Sequence, residues 1–156
     1  MTRMAMAFGL AASLLCACGA SQHPQDTVGE AVRIYNEDIR WGRFETAALR
    51  VPIKQRSERV DEWDERSKEL RVTEFEIVRI DPKGRDSARA QVKLSWYLES
   101  EQVLRETSAV ETWEKKGRDW MLVDEERLRG HEMPGLPEPV AHVREPRGVP
   151  PPPESR

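Results

Sequence analysis

The chain has 156 residues, 34% of them charged, and a net charge of −3. That size allows one small domain, and the two signs are interleaved along the chain with no basic block of the kind that neutralises phosphates. Nucleic acid and anionic lipid headgroups are therefore not the expected ligands.

Residues 4–15 form an uncharged run of Ala, Met, Phe, Leu and Ser behind Arg3. Its length is that of a signal-peptide core and falls short of the ~20 residues a membrane-spanning helix needs. The run closes on Leu15-Cys16-Ala17-Cys18-Gly19. Leu15 lies three residues before Cys18 and the small Ala17 immediately before it, whereas Cys16 follows two bulky leucines. This spacing resembles a bacterial lipoprotein cleavage box. The resemblance implies removal of residues 1–17 and a lipidated, palmitate-bearing Cys18 as the new N-terminus. Acyl chains contribute about 0.8 kcal/mol per buried CH₂, enough to hold a small domain on a bilayer. Both cysteines are then consumed by processing, so no disulfide and no thiolate metal site is expected. Gly19 is not the aspartate that commonly retains lipoproteins on the inner membrane, which implies the periplasmic face of the outer membrane.

Residues 18–26 read as a tether of ~15 Å on random-coil scaling. Thr27-Val28-Gly29-Glu30 has capping-box spacing. Val28, Ala31, Val32, Tyr35 and Ile39 then recur at helical intervals, which predicts a first helix over about 28–41. Gly42 interrupts it. Phe44, Ala47 and Ala48 mark a second, short helix over 43–50 that Pro52 ends. Residues 52–69 are densely charged around Ile53, Val60 and Trp63, and read as a third, mostly exposed helix.

From Val72 the period changes. Phe75, Ile77, Val78 and Ile80 make a strand that ends at the Asp81-Pro82-Lys83-Gly84 turn. Ala88, Ala90, Val92, Leu94, Trp96 and Leu98 alternate with polar residues, so a long strand with one buried face follows. A third strand over 103–113 places Thr107, Ala109, Glu111 and Trp113 on one face. After a hairpin at 115–119, residues 120–123 form a short closing strand. Eight of the eleven prolines lie beyond Arg129. That composition builds no core, so residues 130–156 read as a disordered or polyproline tail behind a domain at 27–129.

Helices broken by Trp41-Gly42-Arg43-Phe44, with Trp41, Phe44 and Ala47 at W-x-x-F-x-x-A spacing, precede a four-stranded meander with Trp113 and Trp120 flanking its last hairpin. The order resembles the NTF2-like, or cystatin-like, cone over about residues 27–126. The resemblance implies an α+β fold, with the helices packed on a curved antiparallel sheet. Enzymes in that family resemble ketosteroid isomerases and small dehydratases and place an Asp, His or Tyr in the mouth of the cone. His23, His131 and His142 fall in the tether and tail, where no general base can be held in place. Tyr35, Asp38, Trp96 and Glu111 are the candidate pocket residues, with Glu111 equally able to pair with Lys93 or Arg105 across the sheet. No phosphate loop, nucleophile elbow or metal-ligand spacing is present, and no catalytic residue, cofactor or metal is expected.

The expected function is a non-catalytic binding or scaffold module, lipid-anchored in the cell envelope, that engages another envelope protein or a second copy of itself. The alternative is a small-ligand carrier or enzyme with an apolar cone and a buried carboxylate.

Overall fold

In the computed structural model, residues 27–139 are described. The lipidation site Cys18, the signal segment, the tether up to residue 26 and the stretch 140–156 lie outside the described residues. Helix α1 spans Val28–Arg40, α2 Phe44–Ala48 and α3 Arg56–Arg66, the last entered through a 3₁₀ turn at Ile53–Gln55. Strands β1 (Leu70–Pro82), β2 (Ser87–Leu98), β3 (Arg105–Lys116) and β4 (Asp119–Gly130) follow, hydrogen-bonded in chain order as an antiparallel meander. Among the described residues no helix is long and apolar enough to cross a membrane.

The ends of α1 are set by local chemistry. Thr27 accepts a hydrogen bond from the Glu30 backbone N–H at 3.2 Å, which satisfies one of the free donors of the first turn. At the other end Gly42 takes φ = +68°, its N–H donates to the Ile39 carbonyl, and the Arg43 N–H donates to the Asp38 carbonyl. These two bonds form a Schellman motif, and the left-handed residue at its centre suits glycine. The chain turns sharply there, which leaves Trp41 61% exposed. The W-x-x-F-x-x-A expectation is corrected accordingly. Phe44 packs on Trp63 and Ala47 is buried, but Trp41 stays largely exposed.

Alternation along the strands decides which side faces the helices. Ala88, Ala90, Val92, Leu94 and Trp96 of β2, with Thr107, Ala109, Glu111 and Trp113 of β3, are buried beneath α1, where Ala31, Val32, Tyr35 and Ile39 meet them. The two outer strands are bulged. Register shifts in β1 leave Thr73 and Val78 without partners, and shifts in β4 do the same for Val123 and Leu128. Each bulge bends its strand and restores the inward side chains beyond it, so the sheet curls around α1. Val78, expected in the apolar run, and Leu128 are instead about half exposed at their bulges.

Two boundaries differ from the sequence reading. Strand β4 does not stop at Val123 but continues to Gly130, because the bulge at Val123 turns Glu125 inward against Glu111. The packed chain also continues past 129. Met133 and Leu136 are buried in the core, the Arg127 N–H donates to the Pro137 carbonyl, and the Arg127 guanidinium pairs with Glu138. Gly135, at φ = +76°, is covered by the Arg66 guanidinium, where a Cβ would lie 1.8 Å from Nε.

Candidate functional site

Two features of the cone carry chemistry: its interior, and a recess at the end where α1 terminates. Inside, Glu111 is completely buried, and its two carboxyl oxygens accept from Asn36 Nδ2 at 2.7 Å and from Trp113 Nε1 at 2.8 Å. Asn36 is itself fixed by donating to the Val32 carbonyl, one turn back on α1. Directly opposite Glu111 in the β3–β4 ladder stands Glu125, also buried. Arg59 of α3 reaches Glu125 at 3.9 Å.

Burial pushes the Glu111 carboxyl up to about 8, and the charge of Glu125 pushes the same way against the opposing hydrogen bonds from Asn36 and Trp113. Glu125 is raised too, chiefly by burial, with the Arg59 and Arg66 charges opposing. The pair therefore holds a proton near neutral pH. Glu125 faces the Arg59 and Arg66 cations and Glu111 only neutral donors, which favours the proton on the Glu111 side of the pair. Tyr35 completes the cluster. Its ring meets Trp113 edge-on with centroids 5.9 Å apart, and burial raises its hydroxyl well above the usual phenol value. The Tyr35 hydroxyl and the Trp63 indole N–H are both buried without a hydrogen-bond partner. A hydrogen-bonding interaction with the Trp63 N–H, outside regular hydrogen-bond geometry, opposes the rise at Tyr35.

Trp63 also forms the wall between this interior and the second feature. It stacks on Phe44, centroids 6.1 Å apart, and the Arg66 guanidinium covers it at 5.1 Å. On the far side lies a recess of 440 Å³ between the α1–α2 turn, the end of α3 and the start of β1, lined by Trp41, Phe44, Trp63, Leu70, Arg40 and Arg71 among others. Arg40 stacks over the exposed Trp41 at 5.2 Å, so the rim is aromatic and cationic while the floor is aromatic.

The four candidate pocket residues separate. Tyr35 and Glu111 share the interior. Asp38, one turn further along α1, is buried but turned to Arg43, whose Nε and Nη2 both reach its Oδ1 at 2.7 Å. Trp96 lies six residues along β2 from Ala90, the register partner of Glu111, a separation of ~20 Å. There its Nε1 donates to Thr107 Oγ1 at 2.9 Å, and Arg105 covers its ring at 5.4 Å. Nor does Glu111 pair with Lys93 or Arg105. Lys93 joins Glu76 and Glu106 on the outer sheet face, and Arg105 joins Glu101. His131 is exposed and its backbone N–H donates to the Glu106 carbonyl. Glu125 and Asn36 escaped the sequence reading. Both carry only a polar letter in a charged or helical stretch; the signal for Glu125 is its register opposite Glu111, and that for Asn36 is its place one turn after the buried Val32 on α1. Among the described residues no group of His, Cys, Asp and Glu side chains could hold a metal ion.

Helices followed by a curled four-stranded meander, with the core held between α1 and the concave face, define an α+β cone of NTF2-like fold. No family model and no curated protein matches the chain in sequence. Among solved structures it is similar to a ketosteroid isomerase-like protein from Erwinia carotovora atroseptica, with a TM-score of 0.56 at 8% identity over 65% of this chain and 94% of that one. It is also similar to a SEC-C motif containing protein from Rhodopseudomonas palustris, with a TM-score of 0.56 at 11% identity over 64% of this chain and 77% of that one. At these identities the likeness is one of fold.

Proposed function

We propose that this chain is a lipid-anchored binding module of the cell envelope, non-catalytic, which offers the Trp41 recess to a protein partner. The carrying observation is how the cone is used. A cone that works as an enzyme needs a carboxylate reachable by substrate, whereas Glu111 has no solvent exposure and both its oxygens are already hydrogen-bonded within the fold. The open, aromatic surface lies elsewhere, at the recess beside Trp41. Exposed tryptophan flanked by arginine is the composition of a binding hot spot.

A photo-crosslinking residue at position 41, compared with one at Gln91 on the outer sheet face, tests this in cells. A single protein adduct from position 41 that disappears in the Cys18→Ala variant is the expected result. No adduct at position 41, or equal adducts with and without the cysteine, counts against it.

The second reading, a small-ligand carrier, draws on the Phe44–Trp63 wall and the unpartnered Tyr35 hydroxyl and Trp63 N–H behind it. Native mass spectrometry of protein purified from membranes would show a bound small molecule if that reading is correct.

A further inference from the structure

We propose that the end of the cone from which the N-terminal segment departs is a membrane-contact surface for anionic phospholipid headgroups; this rests on the lipid-anchored reading above. The fold collects there what the sequence scatters. Helix α1 runs antiparallel to β1, with Gly29 packed near the Ile80 side chain at the end of β1, and Ile39 to Gly42 sharing the recess with the start of β1, Leu70 to Val72. Thr27 therefore emerges at the pole that holds the β1–β2 turn. The β3–β4 turn stands beside it, tied by the Lys115 N–H donating to the Asp86 carbonyl.

These two turns carry Lys83 and Arg85 on one, and Lys115, Lys116 and Arg118 on the other, all exposed except the half-buried Lys115. Their carboxylates are Asp86, Glu114 and Asp119, of which Glu114 is held by Lys116. Lys83, Arg85, Lys115 and Arg118 are in no ion pair among the described residues. Neighbouring Asp81 and Glu30 are each engaged by an arginine of their own, Arg79 and Arg33. At the opposite pole the chain places Glu69, Glu99, Glu101 and Glu132, of which Glu99 pairs with Arg71 and Glu101 with Arg105.

The anchor selects which pole meets the bilayer. Residues 19–27 reach at most ~30 Å when fully extended and ~15 Å as a coil, whereas the strands are ~40 Å long. A lipidated Cys18 would therefore keep the basic turns within reach of the headgroups, where each Lys or Arg is attracted to anionic lipid within about a Debye length. The Trp41 recess, at the other end, then faces away from the membrane, where a partner can reach it. The expectation that anionic lipid is no ligand followed from interleaved charges along the chain. The two hairpins bring residues 83–85 and 115–118 side by side and so gather charges that the linear pattern keeps apart.

The test uses the full chain, isolated with its anchor and placed in vesicles that carry a quencher on the headgroups. A bimane at Asp86→Cys reports the basic pole and one at Ser100→Cys the opposite pole. In vesicles with about 30% phosphatidylglycerol, the Asp86→Cys probe is expected to be quenched about fivefold more than in pure phosphatidylcholine, and the Ser100→Cys probe in neither. Lys83→Glu, Lys116→Glu and Arg118→Glu together should return the first probe to its neutral-vesicle level, with thermal melting unchanged. Equal quenching in both vesicles, or quenching that survives the triple reversal, overturns the proposal. Flotation with neutral vesicles in ~1 M salt reads the anchor separately. A chain that fails to float refutes the anchored reading alone. Its flotation with anionic vesicles at low salt, sensitive or insensitive to the triple reversal, still decides the basic pole.

Discussion

Replacing Glu111 by glutamine removes the buried proton site and leaves the volume unchanged. In the folded chain this carboxyl titrates near 8 rather than at its ordinary 4.5, because burial penalises its charged form. Between those values the folded state binds a proton that the unfolded chain has released. The stability it contributes is complete below about pH 4.5, falls as pH rises, and is gone above about pH 8. At 1.36 kcal/mol per unit the displacement corresponds to on the order of 5 kcal/mol, a ceiling because Glu125 opposite titrates with it. Both neighbours of Glu111, Asn36 Nδ2 and Trp113 Nε1, are donors, so the amide of a glutamine turns its own NH₂ toward one of them. Such a mismatch costs about 1–3 kcal/mol at every pH. Glu111→Gln is therefore expected to be less stable than the parent near pH 5 and more stable near pH 9, because the parent weakens more across that window, the variant keeping only the raised Glu125. Urea unfolding of both chains at three pH values and constant ionic strength measures the crossing. Stability profiles that stay parallel from acid to base would show that Glu111 is not the buried proton site, and the reasoning would fail.

Tyr35→Phe removes a buried hydroxyl without a partner, so stability should be unchanged or rise by about 1 kcal/mol, read from thermal melts. Met133→Ala should cost about 2–5 kcal/mol and Leu136→Ala a similar amount, since both side chains are in the core; near-neutral melts would place the domain boundary back at 129. Gly42→Ala has room for its Cβ, with the nearest atom, of Phe44, 3.9 Å away, so its cost is the left-handed backbone alone, about 1–2 kcal/mol in a urea titration.

Where a structural choice is made by neighbours in the chain, it was legible beforehand. The Thr27 cap, the stop at Gly42 and the strict alternation from Ala88 to Leu98 are all satisfied within a few residues, and each is found where the local pattern puts it. The continuation of β4 through Asp124-Glu125-Glu126-Arg127 was illegible for the opposite reason. A charged run reads as solvated until the bulge at Val123 turns Glu125 inward and Arg59, from a helix some sixty residues earlier, meets it. The same holds for Asp38, which helical spacing sets near Tyr35 but the Schellman turn hands to Arg43.

By itself the amino-acid order determined the class of fold, the extent of the helices to within a few residues, and the expectation of a lipid anchor at Cys18, because hydrophobic period, capping and cleavage spacing are properties of short windows. Only the tertiary structure decided that Glu111 confronts Glu125, that Trp96 stands apart from Tyr35, and that two basic hairpins share one pole. These depend on strand register and on the antiparallel run of α1 against β1, which join residues distant in the chain through backbone hydrogen bonds and core packing that no local pattern encodes.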